Sequence, residues 1–244
     1  MVDHRTRGFT IIEVLLFLAV SAILIMGALV SVNASISNTR FTDAINSTVS
    51  NLQKQYAEVQ SGRNSRDATL GCAAGTINNS AKDAGMTNCV VLGRLIQFDV
   101  GGSAISSRYI IGRDSASLSG SDTDVIQAAI PVSVSGNGLE STFDVPWSME
   151  IDAMKRGSID VNYLAIIRSP VSERILFYSF NGPDNLTTLT SSHISETNLN
   201  KAVDICLLDG SGFGGSRVGY VRIGAGQGQD IIKADLTNTS GACS

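Results

Sequence analysis

Charged residues are scarce in this sequence. They make up 16% of the 244 residues, whereas an average soluble protein contains roughly 25%. The formal net charge is −4, so the chain has no general electrostatic attraction to nucleic acid or to anionic lipid. Binding to either would therefore need a local basic patch.

Histidine is nearly absent, and this argues against most metal and hydrolase sites. The sequence contains 2 histidines, and His4 lies so close to the N-terminus that His193 stands alone. A single histidine forms neither a zinc site nor a base for a nucleophilic serine or cysteine. The glycine-rich stretches 210–215 and 224–228 lack the lysine and helix of a phosphate-binding loop. Five acidic residues could bind calcium by their chemistry, but their spacing matches no calcium loop: Asp122, Asp124, Asp144, Glu150 and Asp152. We expect no catalytic site, no cofactor and no metal, and hence no enzyme.

The four cysteines show no C-x-x-C spacing, which argues against a zinc ribbon or a thioredoxin-type motif. In a cytosolic protein they would be buried free thiols, whereas outside the cytoplasm they would be paired. Three connectivities are possible. We favour Cys72–Cys89 and Cys206–Cys243, because each closes a short local loop.

One long hydrophobic run lies near the N-terminus. Residues 9–32 contain a single charge, Glu13, and as a helix this run would span a hydrocarbon layer of roughly 30 Å. Arg5 and Arg7 precede it, which favours a cytoplasmic N-terminus and places the rest of the chain outside. The alternative is a secretory signal cleaved after Ala34. The length of the run and its early carboxylate argue against that alternative.

The helical pattern continues beyond the hydrophobic run. Apolar residues recur at steps of three and four and so share one helical face: Phe41, Ile45, Val49, Leu52, Tyr56 and Val59. Polar residues fill the opposite face, and Ser61 and Gly62 supply a stop signal. The pattern predicts one helix of about 50 residues, or about 75 Å. Its first half is apolar all round and its second half, residues 33–61, is amphipathic.

The segment from Gly8 to Leu15, which reads GFTIIEVL after a short basic leader, resembles the processing signature of type IV prepilins and of type II secretion pseudopilins. The resemblance implies that a membrane-embedded prepilin peptidase removes the leader, residues 1–8, by cutting after Gly8. It also implies that the same enzyme N-methylates Phe9, and that Glu13 is the acidic fifth residue of the mature chain.

Glu13 is the residue that the physical argument singles out. A carboxylate in the hydrocarbon zone costs about 2.5–3.5 kcal/mol even on the lenient insertion scale. No Lys or Arg lies between Phe9 and Thr39, so a cation must come from elsewhere. The α-amino group that cleavage creates on Phe9 is the obvious source, on the same chain or on a neighbour. The alternative is an incidental carboxylate that snorkels to the membrane surface.

After residue 62, a loop runs to about residue 88, and short apolar runs separated by turn residues then predict antiparallel strands. The predicted strands are 94–100, 107–111, 125–134, 159–167, 174–180, 203–208, 218–223 and 230–236. Residues 191–201 are ambiguous. The expected fold is α+β and type IV pilin-like, with the long helix packed on one antiparallel sheet and a globular domain of residues 62–244.

The runs 203–210 and 218–223 resemble the closing hairpins of H-type pseudopilins and FimT-like minor pilins. Together these features suggest a structural subunit, of the minor pilin kind, that is anchored once in the inner membrane and then carried in a cell-surface filament. Its partners would be other pilin subunits, the prepilin peptidase and the inner-membrane assembly machinery. The alternatives are a type II secretion pseudopilin and a pilus-displayed adhesin or DNA receptor. For DNA, the candidate contacts are Arg217, Tyr220 and Arg222.

Overall fold

The computed structural model describes residues 10–62, 71–73, 76–78, 89–113, 120–134, 140–209, 218–224, 231–235 and 243. The chain divides into two compact units, Met1–Phe41 and Thr42–Ser244. We describe each unit by itself.

Helix α1 (Ile11–Gln60) is 50 residues long, which confirms the predicted length. It ends where the sequence predicted: Gly62 adopts a left-handed backbone with φ of 62°, and its N–H donates to the carbonyl of Val59 at 3.2 Å. Glycine reaches this conformation without a Cβ penalty and is therefore the usual helix-ending residue.

The first unit consists of the start of this helix. Its large apolar side chains between Ile11 and Leu29 are exposed. By length and composition alone, the helix is long and apolar enough to cross a membrane. An uninterrupted apolar surface of this kind needs lipid or other apolar helices around it.

In the second unit, the rest of α1 contributes one face to the core. Ile45, Leu52, Tyr56 and Val59 are buried, as the periodicity predicted. Val49 is only half-buried.

Thr48 is fully buried beside this apolar face. Its hydroxyl donates to the carbonyl of Ala44 at 2.9 Å, and this internal bond satisfies the side chain without a partner from outside the helix.

Within the described residues, thirteen strands and a second, short helix follow α1. In chain order they are β1 (Gly71–Ala73), β2 (Thr76–Asn78), β3 (Cys89–Phe98), β4 (Ala104–Arg113), α2 (Asp122–Ala128), β5 (Val132–Val134), β6 (Glu140–Asp144), β7 (Met149–Arg156), β8 (Ile159–Asp160), β9 (Tyr163–Arg168), β10 (Ile175–Phe180), β11 (Val203–Asp209), β12 (Val218–Ile223) and β13 (Ile232–Asp235).

The strands form two main antiparallel sheets where the sequence predicted one. The first sheet has six strands in the order β10-β9-β3-β4-β5, with β6 also paired to β4. The second has five strands in the order β13-β12-β11-β7-β8. Strands β1 and β2 form a separate two-stranded ribbon, inside a stretch that was predicted to be a loop.

The first sheet is covered on both faces. One face carries Tyr163, Ala165 and Ile167 into a core that also includes Ile126 of α2. The opposite face meets α1, where the ring of Tyr56 stacks on Phe177 with 5.8 Å between centroids. Strand β9 is consequently buried along nearly its whole length, which explains its unbroken apolar sequence.

The predicted strand 125–134 is wrong in its first half, which is helical. Ser121 and Asp124 form a capping box: the N–H of Asp124 donates to Ser121 Oγ at 3.2 Å, and the N–H of Ser121 donates to Asp124 Oδ2 at 3.1 Å. This local signal starts α2 and outweighs the apolar run that follows it. Only Val132–Val134 pairs as a strand.

The predicted strand 159–167 is divided between the two sheets. Ile159–Asp160 pairs with β7 in the second sheet, whereas Tyr163–Arg168 pairs with β3 and β10 in the first. Asn162 lies between these two strands, and its side chain is fixed by two hydrogen bonds to Gly182. Its amide N–H donates to the carbonyl of Gly182 at 2.9 Å, and its oxygen accepts from the N–H of Gly182 at 2.9 Å.

Besides β1 and β2, strands β6 and β7 were missed in the sequence. Strand β6 has few apolar residues, whereas β7 begins with an alternation of apolar and charged residues that is itself a strand pattern. The ambiguous segment 191–201 consists mainly of turns. Its end protects the outer edge of β10: the N–H of Asn200 donates to the carbonyl of Phe177 at 2.7 Å.

Candidate functional site at the N-terminal helix

The carboxylate of Glu13 belongs to the first turn of α1. The N–H of Glu13 donates to Thr10 Oγ1 at 3.3 Å, and the N–H of Thr10 lies 3.5 Å from Glu13 Oε2. The two residues thus form a reciprocal capping box, the pattern T-x-x-E. Each side chain satisfies a backbone donor that the helix start would otherwise leave without a partner.

Glu13 lies at the helix end that attracts negative charge. The N-terminus of a helix carries a partial positive charge, which stabilises an anion by about 0.3–1 kcal/mol at an exposed position. Among the described residues Glu13 has no ion pair with a basic side chain. The helix dipole offsets only part of the cost of a carboxylate in hydrocarbon.

Gly8 and Phe9, the predicted cleavage and methylation positions, lie outside the described residues. Thr10 was missed as the partner of Glu13, although the spacing of Thr10 and Glu13 is itself a capping-box signal that the sequence carried. The described part of the site is therefore one carboxylate, that of Glu13, in the first turn of the helix and four residues after the predicted methylation position, Phe9.

The Cys206–Cys243 disulfide that the cysteine spacing favoured is present, with 5.6 Å between the Cα atoms. It packs with Tyr220 in a small apolar cluster on the second sheet. Cys72 and Cys89 lie in β1 and β3, but their side chains lie outside the described residues. The Cys72–Cys89 pairing stays a prediction.

Two of the three candidate DNA contacts lie in the described residues, and the guanidinium carbon of Arg222 lies 5.7 Å from the ring centroid of Tyr220. Tyr220 is 1% exposed, so its ring face is covered. The guanidinium of Arg222 donates to both carboxylate oxygens of Asp204, at 2.7 Å and 2.9 Å, and this pairing offsets its charge. Arg217 lies outside the described residues.

His193 also has a structural environment. Its ring lies 4.7 Å from the ring of Phe180, and Nδ1 accepts from the N–H of Thr190 at 3.1 Å. Burial lowers the pKa of His193, because the charged imidazolium is disfavoured away from water. Within the described ranges no group of three His, Cys, Asp or Glu side chains is placed to hold a metal.

Residues 3–29 match the family model described as the prokaryotic N-terminal methylation motif. This match, together with a long apolar helix followed by antiparallel sheets, supports a type IV prepilin-like protein. The motif supports a precursor of the pilin or pseudopilin type. Its motif implies processing by prepilin peptidase and assembly into pilus-like filaments with membrane machinery. Comparison with curated proteins and with solved structures finds no match.

Proposed function

We propose that the mature chain is a structural subunit, of the minor pilin kind, of a type IV pilus or a related filament, and that it has no catalytic activity. The observation that carries this proposal is the methylation motif at residues 3–29, which leads directly into a 50-residue helix. The globular unit that follows is large for a major pilin, which favours the minor kind.

The proposed sequence of events begins with cleavage after Gly8, which releases the α-amino group of Phe9. That amine supplies the cation that Glu13 lacks. When the helices leave the membrane and pack together, an ion pair between the amine and Glu13 is stronger than it would be in water, because the surrounding dielectric is low. Cleavage would then permit assembly by creating the counter-charge.

The orientation follows from Arg5 and Arg7, which favour a cytoplasmic N-terminus. The globular unit would then lie outside the cytoplasm, where the Cys206–Cys243 disulfide is stable. Before assembly the subunit would be a single-pass inner-membrane protein, and afterwards part of a cell-surface filament. A type II secretion pseudopilin is the alternative within the same class. The two alternatives are distinguished by whether the chain is found in the pilus fraction or in the type II secretion filament fraction.

The direct test of processing is N-terminal sequencing and intact mass of the mature protein. We expect a chain that begins with N-methylated Phe9. The variant Gly8→Val should remain uncut in the membrane, because a bulky side chain obstructs the peptidase beside the scissile bond. Gly27→Val is the matched control, since a Cβ at Gly27 meets no atom within 4 Å. Normal maturation of Gly8→Val, or a mature N-terminus at Ser35, would contradict the proposal.

The test of assembly is Glu13→Ala, compared with the natural chain in membrane and sheared-filament fractions. We expect normal cleavage, because the scissile bond is untouched, and at least a tenfold loss from the filament fraction, because the Phe9 amine then has no carboxylate to pair with. Incorporation at the natural level would refute the pairing argument.

A further inference from the structure

The segment 190–200 covers the outer edge of β10. Strand β10 is an edge strand of the first sheet, and the segment supplies partners for its backbone. The N–H of Ser179 donates to the carbonyl of Asn198 at 3.2 Å, and the N–H of Asn200 donates to the carbonyl of Phe177 at 2.7 Å. Uncovered strand edges pair readily with other chains. The segment 190–200, which we call the edge cover, therefore controls whether the edge of β10 is accessible.

His193 holds the start of the edge cover in a turn. Its Nδ1 accepts from the N–H of Thr190 at 3.1 Å, and its own N–H donates to the carbonyl of Thr190 at 3.0 Å. A side chain that accepts from the N–H three residues earlier is half of a capping box. The turn directs the next residue, Ile194, into the core, where it is fully buried.

The hydrogen bond from Thr190 exists only while the ring of His193 is neutral. A backbone N–H can only donate, so Nδ1 must be unprotonated and the ring proton must lie on Nε2. In the imidazolium form both ring nitrogens carry protons, and Nδ1–H would then face the N–H of Thr190. The ring of Phe180, 4.7 Å away, favours a cation weakly. The lost acceptor and the partial burial of the ring both oppose it.

The charged groups around the edge cover do not provide a second switch in the same pH range. Glu196 is the one charged side chain of the edge cover itself, and it is exposed. Side chains other than histidine ordinarily keep their charge between pH 5 and pH 7.5. The titratable and charged side chains on the elements packed against the edge cover are Tyr178 of β10, Arg156 of β7, Asp122 and Asp124 of α2, and Asp184 of the loop after β10.

We propose that the edge cover is an acid-sensitive device, in which protonation of His193 loosens residues 190–200 and makes the outer edge of β10 accessible. The sign follows from burial, which lowers the pKa of His193 from its ordinary value of 6.5. When the segment opens, the solvated ring binds a proton more strongly than the closed form does. The stability of the closed form is therefore complete above about pH 6.5 and is lost as the pH falls through the folded pKa.

Amide hydrogen exchange of the full chain in detergent, at pH 7.5 and at pH 5.2, tests this proposal. Rates are converted to protection factors, which removes the chemical pH dependence of exchange. We expect the protection of Ser179 and Asn200 to fall at least threefold at the lower pH. The amides of Leu95 and Ile96, which lie in the middle of β3, should keep their protection and serve as the internal reference.

Two variants separate His193 from other causes. Glutamine at this place in a capping box accepts the same N–H but does not titrate, so the protection of the edge cover in His193→Gln should be equal at the two pH values. Glu196→Gln is the matched control, because it removes the other ionisable side chain of the edge cover. It should show the same threefold loss as the natural chain.

A ring-carbon NMR titration of the natural chain provides a measurement that needs no variant to be stable. The proposed cleavage after Gly8 removes His4, which leaves His193 as the single histidine of the mature chain. Its resonance should titrate with a midpoint below pH 6.5. A midpoint at or above pH 6.5, unchanged protection of the edge cover in the natural chain at pH 5.2, or an equal loss of protection in His193→Gln would each overturn the proposal.

Discussion

An ion pair ties the last turns of α1 to the first sheet. Arg94 of β3 donates through Nη2 to Glu58 Oε2 and through Nη1 to Ser107 Oγ at 3.4 Å. Its guanidinium carbon lies 3.7 Å from the ring centroid of Tyr109. The side chain of Arg94 is 7% exposed and that of Glu58 is 26% exposed, so the arginine is buried and the carboxylate is partly screened by water. We predict that Glu58→Gln lowers the free energy of unfolding of the globular unit.

The expected loss is about 2 kcal/mol. Removing one partner of a fully buried pair costs about 3–5 kcal/mol, because the remaining charge is left uncompensated. Here the partial exposure of Glu58 reduces that cost. The new amide oxygen still accepts one hydrogen bond, and the ring of Tyr109 continues to stabilise the cation by about 1 kcal/mol.

Urea denaturation of the mature chain in detergent measures this loss. The fluorescence of Trp147 is a suitable signal, because its bond to Asp43 reports whether α1 is docked in the globular unit. With a urea dependence of about 2–3 kcal/mol per molar, the midpoint should fall by about 0.7–1 M. The shift should change little between low and high salt, because a buried pair is screened far less than a surface pair.

The chain provides a matched control in Glu173, whose side chain is 75% exposed and pairs with Arg168 at 3.0 Å. Surface pairs contribute about 0–1 kcal/mol, so Glu173→Gln should hardly move the midpoint. The double variant Glu58→Gln with Arg94→Met should recover most of the loss, because no buried charge then remains. Equal midpoints for Glu58→Gln and Glu173→Gln would refute the reasoning.

Two further predictions concern polar groups in the core. Gln55 of α1 is buried, and its Oε1 accepts no hydrogen bond within the described chain. Gln55→Leu should therefore raise the free energy of unfolding by about 1 kcal/mol in the same urea assay. A loss of stability would show that the amide has a role we have not identified. Burial raises the pKa of Tyr178 to about 12, so the folded state keeps a proton that the unfolded state loses from about pH 10 upwards. Stability present below pH 10 should fall by up to about 3 kcal/mol between pH 10 and 12, and the difference from Tyr178→Phe across that range isolates this residue. Parallel pH profiles for the two proteins would contradict the assignment.

The elements that were predicted from the sequence are those encoded locally. Helix α1 follows from a repeating pattern within each turn, and its end at Gly62 from a single residue with a left-handed backbone. Strand β12 was predicted with its observed bounds, Val218–Ile223, because a short apolar run between turn residues is typical of a strand. The pairing of strands, in contrast, depends on distant segments. Residues 159–167 divide between two sheets because they pair with two different strands, β7 and β3. A local pattern does not indicate which strands these are.

The same distinction applies to the sites. The segment around Gly8 is a contiguous motif and can be recognised from the amino-acid sequence alone. Thr10 and Glu13 are three residues apart, so their capping box was also within reach of the sequence. The hydrogen bond between Trp147 and Asp43 joins residues 104 positions apart, and no local sequence pattern predicts it. The burial of Tyr220, which weakens its use as a DNA contact, likewise depends on the distant Cys243.

The acidic residues of α1 support the proposal that processing and assembly are coupled. The helix carries three of them, Glu13, Asp43 and Glu58. Asp43 receives a hydrogen bond from Trp147, and Glu58 pairs with Arg94, so both are satisfied by the fold of the globular unit. Glu13 differs, because its contacts in the described chain come from Thr10 alone. The neutral N–H of Thr10 can orient that carboxylate, but it does not cancel its charge. Burial of this helix among others therefore calls for a positive group, and under the proposed function cleavage ahead of Phe9 would create one at the same end of the helix.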